Sequence, residues 1–264
     1  MNDITNHMQS KFEAFKALHQ VKELFVLPNA WDAKSARLLQ DSGYKAVGTS
    51  SAAVAGSLGY DDGEVMPFDE YLVIVRRIVS SVTVPLTIDM EMGYGKTRES
   101  IYVNIKKLID AGVSGINIED SVMTNGKRSQ GKADDLARTV SYIKEKLHGE
   151  GKSLFINVRS DTYLLKVDDA RQESVRRAKL YASAGADGLF LPCITQPQDI
   201  EAAVAASKLP LNVMCIPGLP DFDQLNKLRV RRASMGPFLQ LKTYKHAAEL
   251  AANVISDGSF KSIL

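Results

Sequence analysis

Short apolar runs rich in β-branched residues alternate along this chain with longer stretches in which apolar residues recur every three or four positions. The runs read as buried strands and the stretches as amphipathic helices, so the order predicts βα units around a parallel sheet. Eight runs stand out: Leu24 to Leu27, Ala46 to Ser50, Leu86 to Met90, Gly115 to Glu119, Leu154 to Arg159, Gly188 to Cys193, Leu211 to Ile216 and Arg232 to Gly236. Eight such units predict a closed (β/α)8 TIM barrel. Ile101, Ile105, Leu108 and Ile109 mark one helix face, and Gly43, Gly112 and Gly185 each fall where a helix needs a left-handed residue before the next strand. Phe12, Phe15 and Leu18 predict a short packed helix within Met1 to Gln20, and Phe238 to Ile255 a long one ending near Gly258. No Pro- or Ser-rich linker interrupts the pattern, so residues 1–264 are read as a single barrel domain.

Composition narrows this picture without changing it. With 264 residues, 45% hydrophobic and 24% charged, the chain can build one sizeable core. Its 33 basic and 31 acidic residues are spread along the length, which argues against nucleic acid and anionic membranes as partners. The cluster Arg229-Val230-Arg231-Arg232 reads as solvated surface. Cys193 and Cys215 lack disulfide or zinc spacing, and Met1 to Gln20 lacks a secretory apolar core. No apolar run approaches the roughly 20 residues that span a bilayer. A soluble, cytoplasmic protein is expected.

In a barrel, residues at the carboxyl ends of the strands converge on one mouth. Here those ends are acidic or polar: Thr49-Ser50-Ser51 with Asp61 and Asp62 beyond, Asp89-Met90-Glu91-Met92-Gly93-Tyr94-Gly95, Glu119-Asp120, and Arg159-Ser160-Asp161. Oxygen donors without histidine favour a hard cation such as magnesium. Asp89 and Glu91, two apart on an extended strand, would share a face and point into the mouth. Asp120 and Asp161 are expected to be helix N-caps. Arg159 either pairs with Glu119 or faces negative charge on a substrate.

Several chemistries can be set aside. Gly93-Tyr94-Gly95-Lys96-Thr97 lacks the first glycine of a phosphate-binding loop, that place being Met90. His7, His19, His148 and His246 all lie away from strand ends, which excludes a histidine triad or zinc site at the mouth. Leu191-Pro192-Cys193 offers no lysine for imine chemistry, and Cys193 reads as a buried thiol rather than a nucleophile.

Taken together, Asn29-Ala30-Trp31-Asp32, Thr49-Ser50-Ser51, Ser57-Leu58-Gly59-Tyr60-Asp61-Asp62, Asp89 to Gly95, Gly115 to Asp120 and Asn157 to Asp161 resemble the isocitrate lyase and phosphoenolpyruvate mutase superfamily over nearly the whole chain. The resemblance implies a barrel that uses Mg2+, or Mn2+ in its place, to make or break a bond beside an α-oxo carboxylate. It implies that Asp89 holds the metal and that Asp62, Glu91 and Glu119 hold its water shell. Ser50, Ser51 and Ala52 would offer backbone amides to the substrate carboxylate, with Trp31 and Asn212 among the specificity positions. Arg159, Glu119 and Tyr94 would be catalytic, with Tyr94 and Gly95 closing over the bound acid. It also implies homodimers that exchange the last helix, paired into homotetramers.

Two departures shape the expected activity. Glu91 stands where the superfamily usually has aspartate, and the loop Val122 to Gly131 lacks the lyases' cysteine. Isocitrate and methylisocitrate cleavage are therefore not expected. The favoured reading is cleavage of a carbon-carbon bond in an oxaloacetate-like acid through a metal-bound enolate. Phosphonate chemistry, as a mutase or phosphonopyruvate hydrolase with Lys127 and Arg128 meeting the phosphonate, is the alternative. A silent metabolite-binding barrel is disfavoured because all four metal positions remain acidic.

Overall fold

The computed structural model describes residues 2–264, with side chains from Met8 onward; Met1 of the expected N-terminal helical stretch lies outside the described residues. Helix α1 (Asn2–Leu18) leads into a first barrel strand that Pro28 breaks into β1 (Phe25–Leu27) and β2 (Asn29–Ala30). Then come α2 (Ala33–Asp41), β3 (Val47–Thr49), α3 (Ser51–Ser57), α4 (Phe68–Ser81), β4 (Leu86–Asp89), α5 (Arg98–Asp110) and β5 (Gly115–Glu119). A hairpin of β6 (Ser121–Thr124) and β7 (Lys127–Gln130) is inserted before α6 (Ala133–Gly149). The remaining units are β8 (Phe155–Arg159), α7 (Ala170–Ser183), β9 (Gly188–Phe190), α8 (Pro197–Ser207), β10 (Leu211–Met214), α9 (Phe222–Lys227), β11 (Arg232–Ser234) and α10 (Phe238–Asp257).

The strands form one parallel sheet in the order β1-β11-β10-β9-β8-β5-β4-β3-β2. Because β1 and β2 are consecutive halves of one strand, the two ends of this sheet meet, and nine strands fill the eight places of a TIM barrel. Proline can donate no ladder hydrogen bond. The break therefore falls where β1 pairs with β11 on one side and β2 with β3 on the other. All eight expected runs begin within one residue of an observed strand, and five of them end one to three residues sooner than expected because the chain there turns into the mouth. Gly43, Gly112 and Gly185 do adopt left-handed φ values of 92°, 98° and 93°, as their helix ends require.

Helices cover the outer face of the barrel in one apolar cluster that includes Ile88, Ile116, Val158 and Leu189 of the strands. The interior differs from the usual apolar filling of such barrels. Asn157 donates to the Asn117 side chain at 2.9 Å, and Arg232 donates to the same oxygen at 3.0 Å. Arg232 on β11 and Asn117 on β5 are not on neighbouring strands, so this bond crosses the lumen. Arg232 is only 1% exposed, which corrects its reading as solvated surface; burial pushes its pKa down to about 9. Asn212 is equally buried beside it on β10.

The amino-terminal end of the barrel is plugged by Phe15 and His19, packed on Phe25 and Phe155. The His19 ring stacks on Phe155 at 4.2 Å between centroids, and its Nδ1 donates to the Phe15 carbonyl at 2.9 Å. Burial, aided by the Arg232 charge, pushes the His19 pKa down to about 3. Folding therefore favours neutral imidazole, and stability present above the unfolded value of about 6.5 declines as the unfolded chain takes up the proton on acidification. At pH 5.5 the loss from this residue is about 1.4 kcal/mol. Chemical denaturation at pH 7.5 and 5.5 is expected to show it, and His19→Gln to remove most of this pH dependence; an unchanged profile would contradict the buried neutral ring.

Candidate active site at the carboxyl end of the barrel

The acids converge as barrel geometry demands, but through a different backbone path from the one expected. Strand β4 stops at Asp89, and Glu91 and Tyr94 then take left-handed φ values of 48° and 53°. Glu91 therefore reaches the mouth through a strained turn, not by strand alternation. Non-glycine residues held in this region are costly and persist where surrounding bonds fix them. Those bonds are present: both Glu91 oxygens accept from the Glu64 amide at 3.1 Å, and the Tyr94 hydroxyl donates to Glu91 at 2.9 Å. Glu64 in turn accepts from the Tyr94 amide at 2.6 Å.

Asp89 is buried, and its Oδ2 accepts from the Ser51 hydroxyl at 3.0 Å and the Ser51 amide at 3.3 Å. Among the described residues its Oδ1 has no partner. The Ser51 hydroxyl also reaches Asp62 at 2.9 Å. Burial raises the Asp89 pKa, Asp62 adds to that, and Arg159 opposes it. Burial, then Asp62 and Asp89, push Glu91 up to about 7. This crowding of acids is the electrostatic condition for holding a cation.

Two arginines answer it. Arg159 grips Asp161 through Nε at 2.7 Å and Nη2 at 3.2 Å, and pairs with Glu119 at 3.0 Å. Burial works against its charge, but Asp161 and Asp89 more than offset this and hold its pKa above the ordinary arginine value. Arg128, from the hairpin, lies among Glu119, Asp62 at 3.2 Å, Asp161 at 3.4 Å and Glu91 at 3.7 Å. Glu119, 1% exposed in its side chain, is thus held between two guanidinium groups. Among the described residues, no three His, Cys, Asp or Glu side chains are arranged as a metal would gather them. The donor set nevertheless fits a hard cation: it is made of oxygens, it includes the unpartnered Asp89 Oδ1, and three of its acids share one guanidinium, that of Arg128.

The remaining predicted site residues fall in four places. Ser50 caps α3, accepting from the Ala53 amide at 3.5 Å, so Ser50, Ser51 and Ala52 do form a helix start beside Asp89. Gly95 is packed on the start of α5, where an added Cβ would meet the Ser100 hydroxyl at 2.5 Å and the Ile101 amide at 2.8 Å. Trp31 instead meets Tyr244 of α10 edge-on, 6.3 Å between centroids, and Asn212 lies deeper in the lumen. Neither is drawn into the acid cluster. A cleft of about 550 Å³ opens beside the cluster between Gly95, Met123 of the hairpin, and α6.

Asp120 and Asp161 are not helix caps. Asp161 serves Arg159, Arg128 and the Ser121 hydroxyl. Asp120 accepts from Ser160 at 2.6 Å, the Asp161 amide at 3.1 Å, Arg177 at 2.8 Å and Tyr181 at 2.7 Å. Its two oxygens thereby fix the chain that carries Arg159 and Asp161. Arg177 was missed in the sequence because a charged residue on a helix reads as solvated. The signal was its place among Ser174, Ala178 and Tyr181, the buried face of α7. Cys193 is half-buried with φ 66°, not fully buried, and burial raises its thiol pKa, which argues against a ready nucleophile.

A parallel barrel with an acid-lined, arginine-braced mouth defines a (β/α)8-barrel protein of enzymatic type. Residues 15–255 match the family described as phosphoenolpyruvate phosphomutase, and the chain belongs to that family, within the isocitrate lyase and phosphoenolpyruvate mutase superfamily. It is 29% identical to 2-methylisocitrate lyase of Escherichia coli strain K12, covering 97% of this chain and 88% of the relative. It is 30% identical to oxaloacetate decarboxylase of Bradyrhizobium sp. strain BTAi1, covering 79% of this chain and 72% of the relative. A crystal structure from Burkholderia cenocepacia J2315, provisionally described as a phosphonomutase, matches with 36% identity and a TM-score of 0.86 over 92% of this chain and 99% of that one. The fold is shared with a phosphonopyruvate hydrolase solved with oxalate and Mg++, at 21% identity and a TM-score of 0.84 over 96% of this chain and 89% of that one.

Asp120 can be tested apart from catalysis. Asp120→Ala strands the buried Arg177 charge, and breaking a buried pair in this way costs about 3 to 5 kcal/mol. Urea unfolding is expected to show that loss, and a change below about 1 kcal/mol would mean the network is dispensable.

Proposed function

We propose that this chain is a magnesium-dependent enzyme that cleaves a carbon-carbon bond next to the keto group of a small, oxaloacetate-like α-oxo acid. The observation that carries the reading is the cluster of Asp62, Asp89, Glu91 and Glu119 around one mouth with Arg159 fixed beside it. The relative named oxaloacetate decarboxylase supports the substrate class, and the fold relative solved with Mg++ supports the metal. When bound by those four acids, the ion would supply Lewis-acid polarisation of the keto oxygen.

The chain's own residues would do the rest. Arg159 is fixed by Asp161 before substrate arrives, so its charge is preorganised toward the oxygen on which negative charge develops. The start of α3, Ser50 to Ala52, would seat the substrate carboxylate. Tyr94, whose pKa burial and Glu91 push well up, stays protonated and orients Glu91. The hairpin Ser121 to Gln130 carries no thiol, so water would supply the proton that replaces the departing group. Carbon-phosphorus cleavage is the second reading, favoured by the 36% identity to the provisional phosphonomutase and by a second cation, Arg128, at the mouth.

We also propose a homodimer or homotetramer built on α10. Leu241, Tyr244, Ile255 and Phe260 leave this helix and the tail after it with exposed apolar surface. Sedimentation at micromolar concentration tests it, with a monomer refuting it.

A panel of oxaloacetate, larger 2-oxo acids and phosphonopyruvate, assayed for carbon dioxide, pyruvate and phosphate with and without Mg2+, tests the reaction. Magnesium-dependent turnover of an oxo acid is expected, and phosphate release alone would favour the second reading. Asp89→Asn is expected to abolish turnover with circular dichroism unchanged. Arg159→Lys loses the two-pronged grip on Asp161 and should lower kcat by about 100-fold or more, with a smaller change in KM. A pure KM effect would assign Arg159 to binding alone.

A further inference from the structure

The hairpin is fastened unevenly. Its base is pinned: the Gly131 amide donates to the Asp120 carbonyl at 2.8 Å, Gln130 donates to the Asp120 side chain at 2.6 Å, and Arg177 donates to the Gly131 carbonyl at 2.9 Å. Its outer part is exposed from Thr124 to Lys127 and turns through left-handed Asn125 and Gly126, φ 51° and 73°. An isolated two-stranded hairpin is marginal in water, so what holds this one down lies in its contacts. Those of its outer half are Met123, lying against Gly63, and Arg128, buried to 16% exposure among four carboxylates.

Three of those carboxylates, on Asp62, Glu91 and Glu119, belong to the set proposed to hold the divalent ion. A magnesium ion binds carboxylate or water oxygens at about 2.0 to 2.1 Å in a full octahedral shell. Such a shell needs the volume between these acids that the guanidinium fills, and the two positive charges repel across a buried, weakly screened space.

We infer that Arg128 is a tethered counter-ion that competes with the divalent ion for the mouth acids, so that metal loading and release of the hairpin are one linked equilibrium. The inference rests on the metal reading above. In the metal-free protein Arg128 neutralises the cluster and holds the hairpin shut; ion binding expels the guanidinium and frees the hairpin over the cleft. Linkage makes the effect reciprocal: whatever factor the seated arginine takes from metal affinity, the metal takes from hairpin closure.

Manganese serves as the probe, its free concentration read by electron paramagnetic resonance. Arg128→Gln is expected to bind Mn2+ about tenfold tighter than wild type or more. Its metal-free form should melt lower than wild type, with saturating Mn2+ closing the gap. In wild type, Mn2+ is expected to speed tryptic cleavage at Lys127 and Arg128, a measurement that needs no variant. Equal or weaker binding by Arg128→Gln, or hairpin protection by Mn2+, would overturn the competition while leaving the metal site intact. Absence of Mn2+ binding in both proteins would overturn the metal reading, and this inference with it.

Discussion

Carboxylates taken out of water at the mouth of this barrel must be met by positive charge, and the architecture around them follows from that requirement. Asp89, Glu91 and Glu119 are buried, and Asp161 is fully enclosed. Unpaired, such groups would take up protons or destabilise the fold. Arg159 is placed by the end of β8, Arg128 by an inserted hairpin, and Arg177 by the inward face of α7, where it balances Asp120. Each arginine comes from a different element, so the charge balance also staples hairpin, strand ends and helix into one unit.

The barrel itself was legible because its strands are buried on both faces and therefore announce themselves as apolar runs, with glycines at the helix ends. The acids were legible because barrel topology assigns a place to any residue at the end of a strand. Three things were not. Strand alternation suggested how Glu91 faces the mouth, but the route is a left-handed turn held by bonds from Glu64 and Tyr94. Asp120 and Asp161 looked like caps because local sequence cannot distinguish an acid that accepts from a helix amide from one that accepts from an arginine 57 residues away. Arg232 looked solvated because charge clusters usually are, whereas here one member of the cluster lies on β11 and turns into the lumen.

The hairpin shows the same limit in another form. Val122 to Gly131 read as a loop, yet Asn125 and Gly126 supply the left-handed pair that favours a tight antiparallel turn. The absence of a cysteine there bears on what the protein does, and the presence of Arg128 bears on how the site is kept when nothing is bound. Both are properties of one short insertion on an otherwise ordinary barrel.

Arg232 lends the mouth a further property. It lies in the lumen behind the acids, close enough for its charge to be felt at Asp89, and it is buried and bonded to Asn117 there. The acids are therefore bracketed along the barrel axis by one permanent charge beneath and one removable charge above. Lifting a short ribbon thus alters the electrical potential of the pocket as well as its opening, and whichever anion enters next meets a site whose polarity has been reset by the same movement that admitted it.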